Sequence, residues 1–144
     1  MRKFTSTLRH PARIVHAHCD LPCGVYDPAQ ARIEAESVAK IQEKYQDAAN
    51  QKKPSESEED FKARCLVIKE ERADMVKHHL WVLWTDYFKA PHFEKYPNLH
   101  QLFNEATKLA GAGGVKGSLD EAVADQLLAK IDEIAKIFWE TKAA

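Results

Sequence analysis

The chain has 144 residues, 44% hydrophobic and 30% charged, with only 5 Gly and 6 Pro, the balance of one globular domain with a core of its own. Lys and Arg number 21 against 22 Asp and Glu, a net charge of −1, which excludes a general nucleic-acid binder, because such affinity rests on clustered positive charge. No apolar run nears the roughly 18 residues of a membrane span, and the densest, Leu80 to Trp84, excludes one by its shortness.

Residues 1–17 carry Arg2, Lys3, Arg9 and Arg13 with no Asp or Glu, so the remaining chain is net acidic. That asymmetry predicts a cleaved leader over 1–17 ahead of a single domain over 18–144. The segment ends in the small residue Ala17 but lacks the apolar stretch of a secretory signal peptide. An organelle transit peptide and a frayed basic terminus are the other readings, and the cytoplasm is the expected compartment.

The chemistry concentrates in His18-Cys19-Asp20-Leu21-Pro22-Cys23-Gly24-Val25-Tyr26. Two thiols with three residues between them can converge on one metal if the loop turns, and Pro22 and Gly24 are residue types that let it turn. Two thiols alone complete no zinc site, and without signs of secretion a structural disulfide is disfavoured. Cleavage after Ala17 changes the donor inventory. It places a free α-amine on His18, so that amine, the Cys19 amide nitrogen and the Cys19 and Cys23 sulfurs form a planar set of two nitrogens and two sulfurs. Such a set suits Ni(II) or Cu(II), with the His18 ring available as an axial ligand.

Asp27-Pro28-Ala29-Gln30 reads as a helix start with a capping box, the helix running to about Ala49. A polar linker follows, Ser57 caps a second helix lasting to about Lys89, and Ala90-Pro91 stops it. Asn98 with Gln101 opens a third helix, whose Leu99, Leu102, Phe103, Ala106 and Leu109 share a face, and Gly111–Gly117 ends it. Ser118 with Glu121 opens a fourth, placing Val123, Leu127, Ile131, Ile134 and Phe138 inward. The fold class predicted is all-α: a four-helix bundle over 27–144 behind an N-terminal metal-binding hook at 18–26, with the long second helix reaching toward another subunit.

Two charges fall on predicted inner faces. Glu34 shares its rhythm with Val38, Ile41 and Tyr45, and Arg72 lies in the series Phe61, Cys65, Ile68, Arg72, Met75, His79. Burying either alone costs several kcal/mol, so a pair is expected, the alternative being that each reaches solvent at the bundle's edge. Cys65 reads as a small core residue, and His78, His79, His92 and His100 as packing or surface residues.

The hook sequence 18–26 resembles that of the nickel-containing superoxide dismutases. The similarity continues through Asp27-Pro-Ala-Gln-Ala-Arg-Ile-Glu-Ala-Glu-Ser37, Val67-Ile-Lys-Glu-Glu-Arg72, Lys77-His-His79, Leu83 to Pro97 and Ile137-Phe-Trp-Glu-Thr-Lys142, nearly all of the chain after the leader. The resemblance implies a homohexamer of helical bundles that converts superoxide into oxygen and hydrogen peroxide through a Ni(II)/Ni(III) cycle. One nickel per subunit would be held by His18, Cys19 and Cys23. Glu34 and Arg72 match the family's glutamate and arginine behind the metal-bound imidazole, where such groups orient a ring and tune its basicity. Tyr26 matches the tyrosine beside the hook, and Tyr87 and Lys89 match residues near the substrate approach. Asp20 is expected to order the hook or water. The tyrosines have a plainer alternative as core aromatics with satisfied hydroxyls.

Anionic thiolates and a deprotonated amide nitrogen push electron density onto nickel and bring Ni(III) within reach, which aqueous Ni(II) does not manage. Lys89 offers a local positive charge to a small anion. The linker from Asn50 to Asp60 is longer and more acidic than the resemblance requires, which bears on packing and assembly rather than on the hook. A non-enzymatic metal-binding or thiol-redox bundle is the rival reading, for which leader removal is irrelevant. A purely structural helix-bundle interaction protein, using Trp81 and Trp84 at an interface, is a third. Partners expected are superoxide, five further copies of the chain and a leader-processing peptidase, with no nucleic acid and no membrane.

Overall fold

The computed structural model describes residues 24–143. Six α-helices and one π turn carry them: α1 (Ala29–Gln46), α2 (Ala48–Gln51), α3 (Glu58–Val82), the π turn Leu83–Tyr87, α4 (Ala90–Lys95), α5 (Leu99–Leu109) and α6 (Glu121–Lys142). There is no strand among the described residues. The four long helices form the predicted bundle: α1 packs along α3 and α6, and α5 closes against α6 and α3.

Helix ends follow local chemistry. Asp27 Oδ1 accepts the Ala29 N–H at 2.8 Å, so its carboxylate serves the first turn directly rather than through the box expected with Gln30. Ser57 Oγ accepts the Asp60 N–H at 3.1 Å, the cap expected of α3. At α6 the cap is Asp120, whose Oδ1 accepts the Ala122 N–H at 3.0 Å. The predicted Ser118 sits one step back, its hydroxyl accepting the Asp120 N–H. The expected first helix to Ala49 breaks at Asp47, φ −100°, and resumes as the single turn α2.

The second predicted helix also divides. After Val82 the ladder widens to the π form, with the Phe88 N–H donating to the Leu83 carbonyl at 3.0 Å. Lys89 then opens α4, a helix not anticipated by reading Ala90-Pro91 as a stop. Pro91 lies in its first turn, where no N–H is needed, and the Lys89 N–H is taken up by His92 Nδ1 at 3.1 Å.

The inner face of α3 is turned from the predicted one. Cys65, Lys69, Ala73, Val76 and Leu80 are buried, whereas Ile68 and Met75 are exposed. The pivot is Lys69, 2% exposed, whose Nζ donates to the carbonyls of Ser118 at 2.8 Å and Lys116 at 3.3 Å. Buried Gln42 on α1 donates to the same Ser118 carbonyl at 3.1 Å. An apolar-stripe reading rejects a lysine there, but these carbonyls take up two of its three donors.

The loop that supplies the carbonyls needs its glycines. Val115 N–H returns to the Leu109 carbonyl at 2.8 Å, and a Cβ on Gly114 would lie 1.9 Å from that oxygen. The faces predicted for the last two long helices are largely as read: Leu99, Leu102, Phe103 and Ala106 of α5 and Leu127, Ile131, Ile134 and Phe138 of α6 are buried, while Leu109 and Val123 are half-buried and Ala124 takes the inner place beside Val123. Cys65, 7% exposed, is the core residue expected.

Candidate functional site

His18, Cys19, Asp20 and Cys23 lie outside the described residues, as does the leader. Among the described residues no group of three or more His, Cys, Asp or Glu is placed to hold a metal ion. What the structure describes is the segment that follows, from Gly24 onward, and the side chains packed around it.

The chain leaves the hook at Gly24 with φ +70°, a left-handed conformation natural to glycine, and a Cβ there would meet nothing within 4 Å. The glycine is therefore used for its backbone freedom rather than for space. Two residues on, the Tyr26 carbonyl accepts a hydrogen bond from Lys142 Nζ at 3.0 Å, which ties the exit of the hook to the last turn of α6.

Tyr26 and Tyr87 come together, ring centroids 5.6 Å apart and tilted by 59°. Tyr87 ends the π turn and is held on several sides. Phe138 lies 4.3 Å away, His92 of α4 stacks at 5.7 Å and 14°, and Phe88 meets the ring edge-on. The Tyr87 hydroxyl lies 2.9 Å from Thr141 Oγ1 and 3.5 Å from the Phe138 carbonyl. The expectation of a core aromatic with a partnered hydroxyl thus describes Tyr87 well, and its ring also faces the hook's exit. Lys89 follows two residues later, exposed, and its ammonium forms no ion pair with any described residue.

A second cluster lies deeper along the bundle. Arg72 Nη1 donates to both oxygens of Glu34, at 3.1 and 3.3 Å. Glu34 is the inner partner, its side chain 11% exposed, while that of Arg72 retains 41%. The expected pair is present, with the carboxylate buried and the guanidinium straddling the edge. At 1.5 Å per residue, roughly 15 Å of helix axis separates Arg72 from the end of α3, so the ion pair and the tyrosine pair are distinct clusters.

His92, read as a packing or surface residue, packs on Tyr87, and two residues at the cluster were given no role from sequence: Thr141 and Lys142. The similarity over Ile137–Lys142 covers both, but no local pattern says that the end of α6 meets the π turn. The contact is a product of the tertiary fold.

A family profile described as nickel-containing superoxide dismutase matches residues 13–142. Among characterised proteins, the chain is 57% identical over 139 residues to the nickel superoxide dismutase of Streptomyces coelicolor, spanning 96% of this chain and 98% of the relative. It is 58% identical over 139 residues to that of Streptomyces seoulensis, with the same spans. A crystal structure of a nickel-containing superoxide dismutase with ligation corresponding to the oxidised state superposes with a TM-score of 0.77 at 60% identity, covering 88% of this chain and 100% of that one. A native structure of a nickel superoxide dismutase gives 0.76 at 59% identity with the same coverage.

Proposed function

The chain belongs to the nickel-containing superoxide dismutase family, an enzyme that disproportionates superoxide with nickel as cofactor, and from that premise we propose that His18, Cys19 and Cys23 hold the metal. The observation that carries this ligand set is that residues 18–26 fall inside the matched span 13–142 and lead directly into the tethered Tyr26. The donors fit the metal: the His18 amine and imidazole, the Cys19 amide nitrogen and the Cys19 and Cys23 thiolates would hold nickel, and thiolates with a deprotonated amide would donate strongly enough to bring its higher oxidation state within reach. When bound, nickel supplies the one-electron Ni(II)/Ni(III) couple that the reaction requires.

The chain's own groups act around that set. Glu34, fixed by Arg72, orients the His18 ring through a hydrogen bond and sets its basicity. Tyr26 and Tyr87 narrow the approach, admitting a small anion and its waters while excluding larger molecules. Lys89 raises the encounter rate of superoxide by a local positive potential. Asp20 orders the hook.

Residues 1–17 are removed by a peptidase before the hook becomes competent, since only then does His18 bear an amine. Coverage supports this: solved relatives are matched over their whole length yet leave uncovered a share of this chain the size of residues 1–17, whereas the characterised sequences reach 96% of it. A homohexamer is supported by the exposed apolar side chains of Leu66, Val67, Ile68, Met75 and Trp81 along α3. The cytoplasm is the compartment proposed.

The test is metal content per chain on protein beginning at His18 and on the full-length chain, both reduced and supplied with nickel. About one nickel on the trimmed form and almost none on the full-length form is the expected result, given a ligand set that needs the free amine. Equal loading of both forms, or none on the trimmed one, refutes the ligand set and favours the thiol-redox bundle.

A further inference from the structure

The hydroxyls around Tyr87 fix the direction of its hydrogen bond. Three oxygens meet there: Tyr87 Oη, Thr141 Oγ1 and the Phe138 carbonyl. Thr141 Oγ1 lies 2.8 Å from the carbonyl, 2.9 Å from Tyr87 Oη, and the remaining contact, Tyr87 Oη to the carbonyl, is 3.5 Å. A carbonyl only accepts, so the 2.8 Å contact takes the single Thr141 proton. Thr141 then has none left for Tyr87, and at 2.9 Å the phenol must be the donor. The reverse assignment, with Thr141 donating to Tyr87, would leave two acceptor oxygens facing each other at 2.8 Å with no proton between them.

We propose that Thr141 is a positioning residue for the reaction: it draws the Tyr87 proton toward α6, so that Tyr87 presents only lone pairs to the approach and serves there as an acceptor. This rests on the reading above that Tyr87 borders the substrate path. A phenol turned this way does not donate to an anion. It orders a water or another donor by accepting from it, and donation to superoxide falls to other groups. The ring has little freedom to reverse the arrangement, with Phe138 on one side, His92 stacked on another and Tyr26 across the approach. The chain Tyr87 to Thr141 to Phe138 carbonyl ends on backbone of α6, one turn before the residue that ties down Tyr26.

Raman spectroscopy reads the direction without any metal. In the ring doublet of tyrosine, the ratio of the upper to the lower band is low when the phenol donates and high when it accepts. The spectrum of the wild-type chain minus that of Tyr87→Phe isolates Tyr87 and is expected to show the donor pattern. Thr141→Val keeps the shape and removes the hydroxyl, so the ratio should rise; Thr141→Ser should restore the low value. In nickel-loaded trimmed protein, Thr141→Val is expected to lower kcat/KM by about threefold to tenfold, as a misplaced group at a reaction site does, with most of the loss recovered in Thr141→Ser. An acceptor pattern in the wild type, or a donor pattern that persists in Thr141→Val, overturns the proposal. Should Tyr87→Phe turn over superoxide like wild type, the approach role of Tyr87 fails, while the Raman pattern still decides where its proton points.

Discussion

Removing the guanidinium of Arg72 while keeping its bulk, as in Arg72→Met, leaves the Glu34 carboxylate 11% exposed and without the nitrogen that spans both its oxygens. Unit charges about 4 Å apart attract by about 4 kcal/mol at an effective permittivity of about 20, before the cost of desolvating them. Measured worth depends on exposure: a fully exposed pair nets about 0–1 kcal/mol, whereas breaking a buried one costs about 3–5 kcal/mol. Here one partner is buried and the other 41% in water, so screening acts on the guanidinium side only. Arg72→Met should therefore cost about 2 kcal/mol, between the exposed and buried limits. Glu34→Gln, which leaves no buried charge, should cost less, and the double variant should lose less than the two combined, with a coupling of about 1 kcal/mol. The assay is urea unfolding of wild type, both single variants and the double variant at one fixed protein concentration, since assembly adds to apparent stability. A coupling under about 0.3 kcal/mol, within ordinary additivity, would refute the assignment of Glu34 as a buried charge held by Arg72.

Burial holds the Lys69 ammonium below the ordinary lysine value, so the native state binds that proton less tightly than the unfolded chain does. The stability difference between wild type and Lys69→Met should rise as pH climbs from the depressed native value toward the ordinary one, and a flat difference in urea midpoints across the alkaline range would contradict this. Burial likewise pushes the Cys65 thiol up, so iodoacetamide should label Cys65 more slowly than Cys19 or Cys23 in metal-free native protein, as peptide mapping would show. Ser57→Ala should cost about 1 kcal/mol in thermal or urea unfolding through loss of the α3 cap, and no measurable cost would mean that the Ser57 to Asp60 bond does not hold in solution.

Sequence reached furthest where cause and effect are close along the chain. The donors proposed for the hook sit within six consecutive residues, so that reading draws on no feature of the fold. The Ser57 cap and the faces of α5 and α6 are likewise local or periodic. Glu34 and Arg72 stood out because a charge interrupts an apolar rhythm, although the rhythm chosen for α3 was turned from the one observed. The rotation traces to Lys69, whose partners lie 47 and 49 residues later in the chain, beyond any pattern on α3. The π turn and α4 were missed for a related reason. Leu80 to Lys89 is rich in aromatic and β-branched residues of weaker helix propensity but carries no local break signal before Ala90-Pro91, and the π turn is where Tyr87 and Phe88 pack onto Phe138. Thr141 and Lys142 could be placed near Tyr87 and Tyr26 only once α6 was seen to run back to the end of α3.

The bond from Lys142 to the Tyr26 carbonyl spans 116 positions and joins nearly the two extremes of the described chain. Head and tail of the subunit are therefore one piece of structure, and neither is a neutral place for alteration. An affinity tag or fusion placed beyond Lys142, or loss of Lys142 itself, acts beside Tyr26, far away in sequence but adjacent in the fold. Recombinant versions lengthened or shortened at the tail should be judged by that proximity rather than by the distance in sequence.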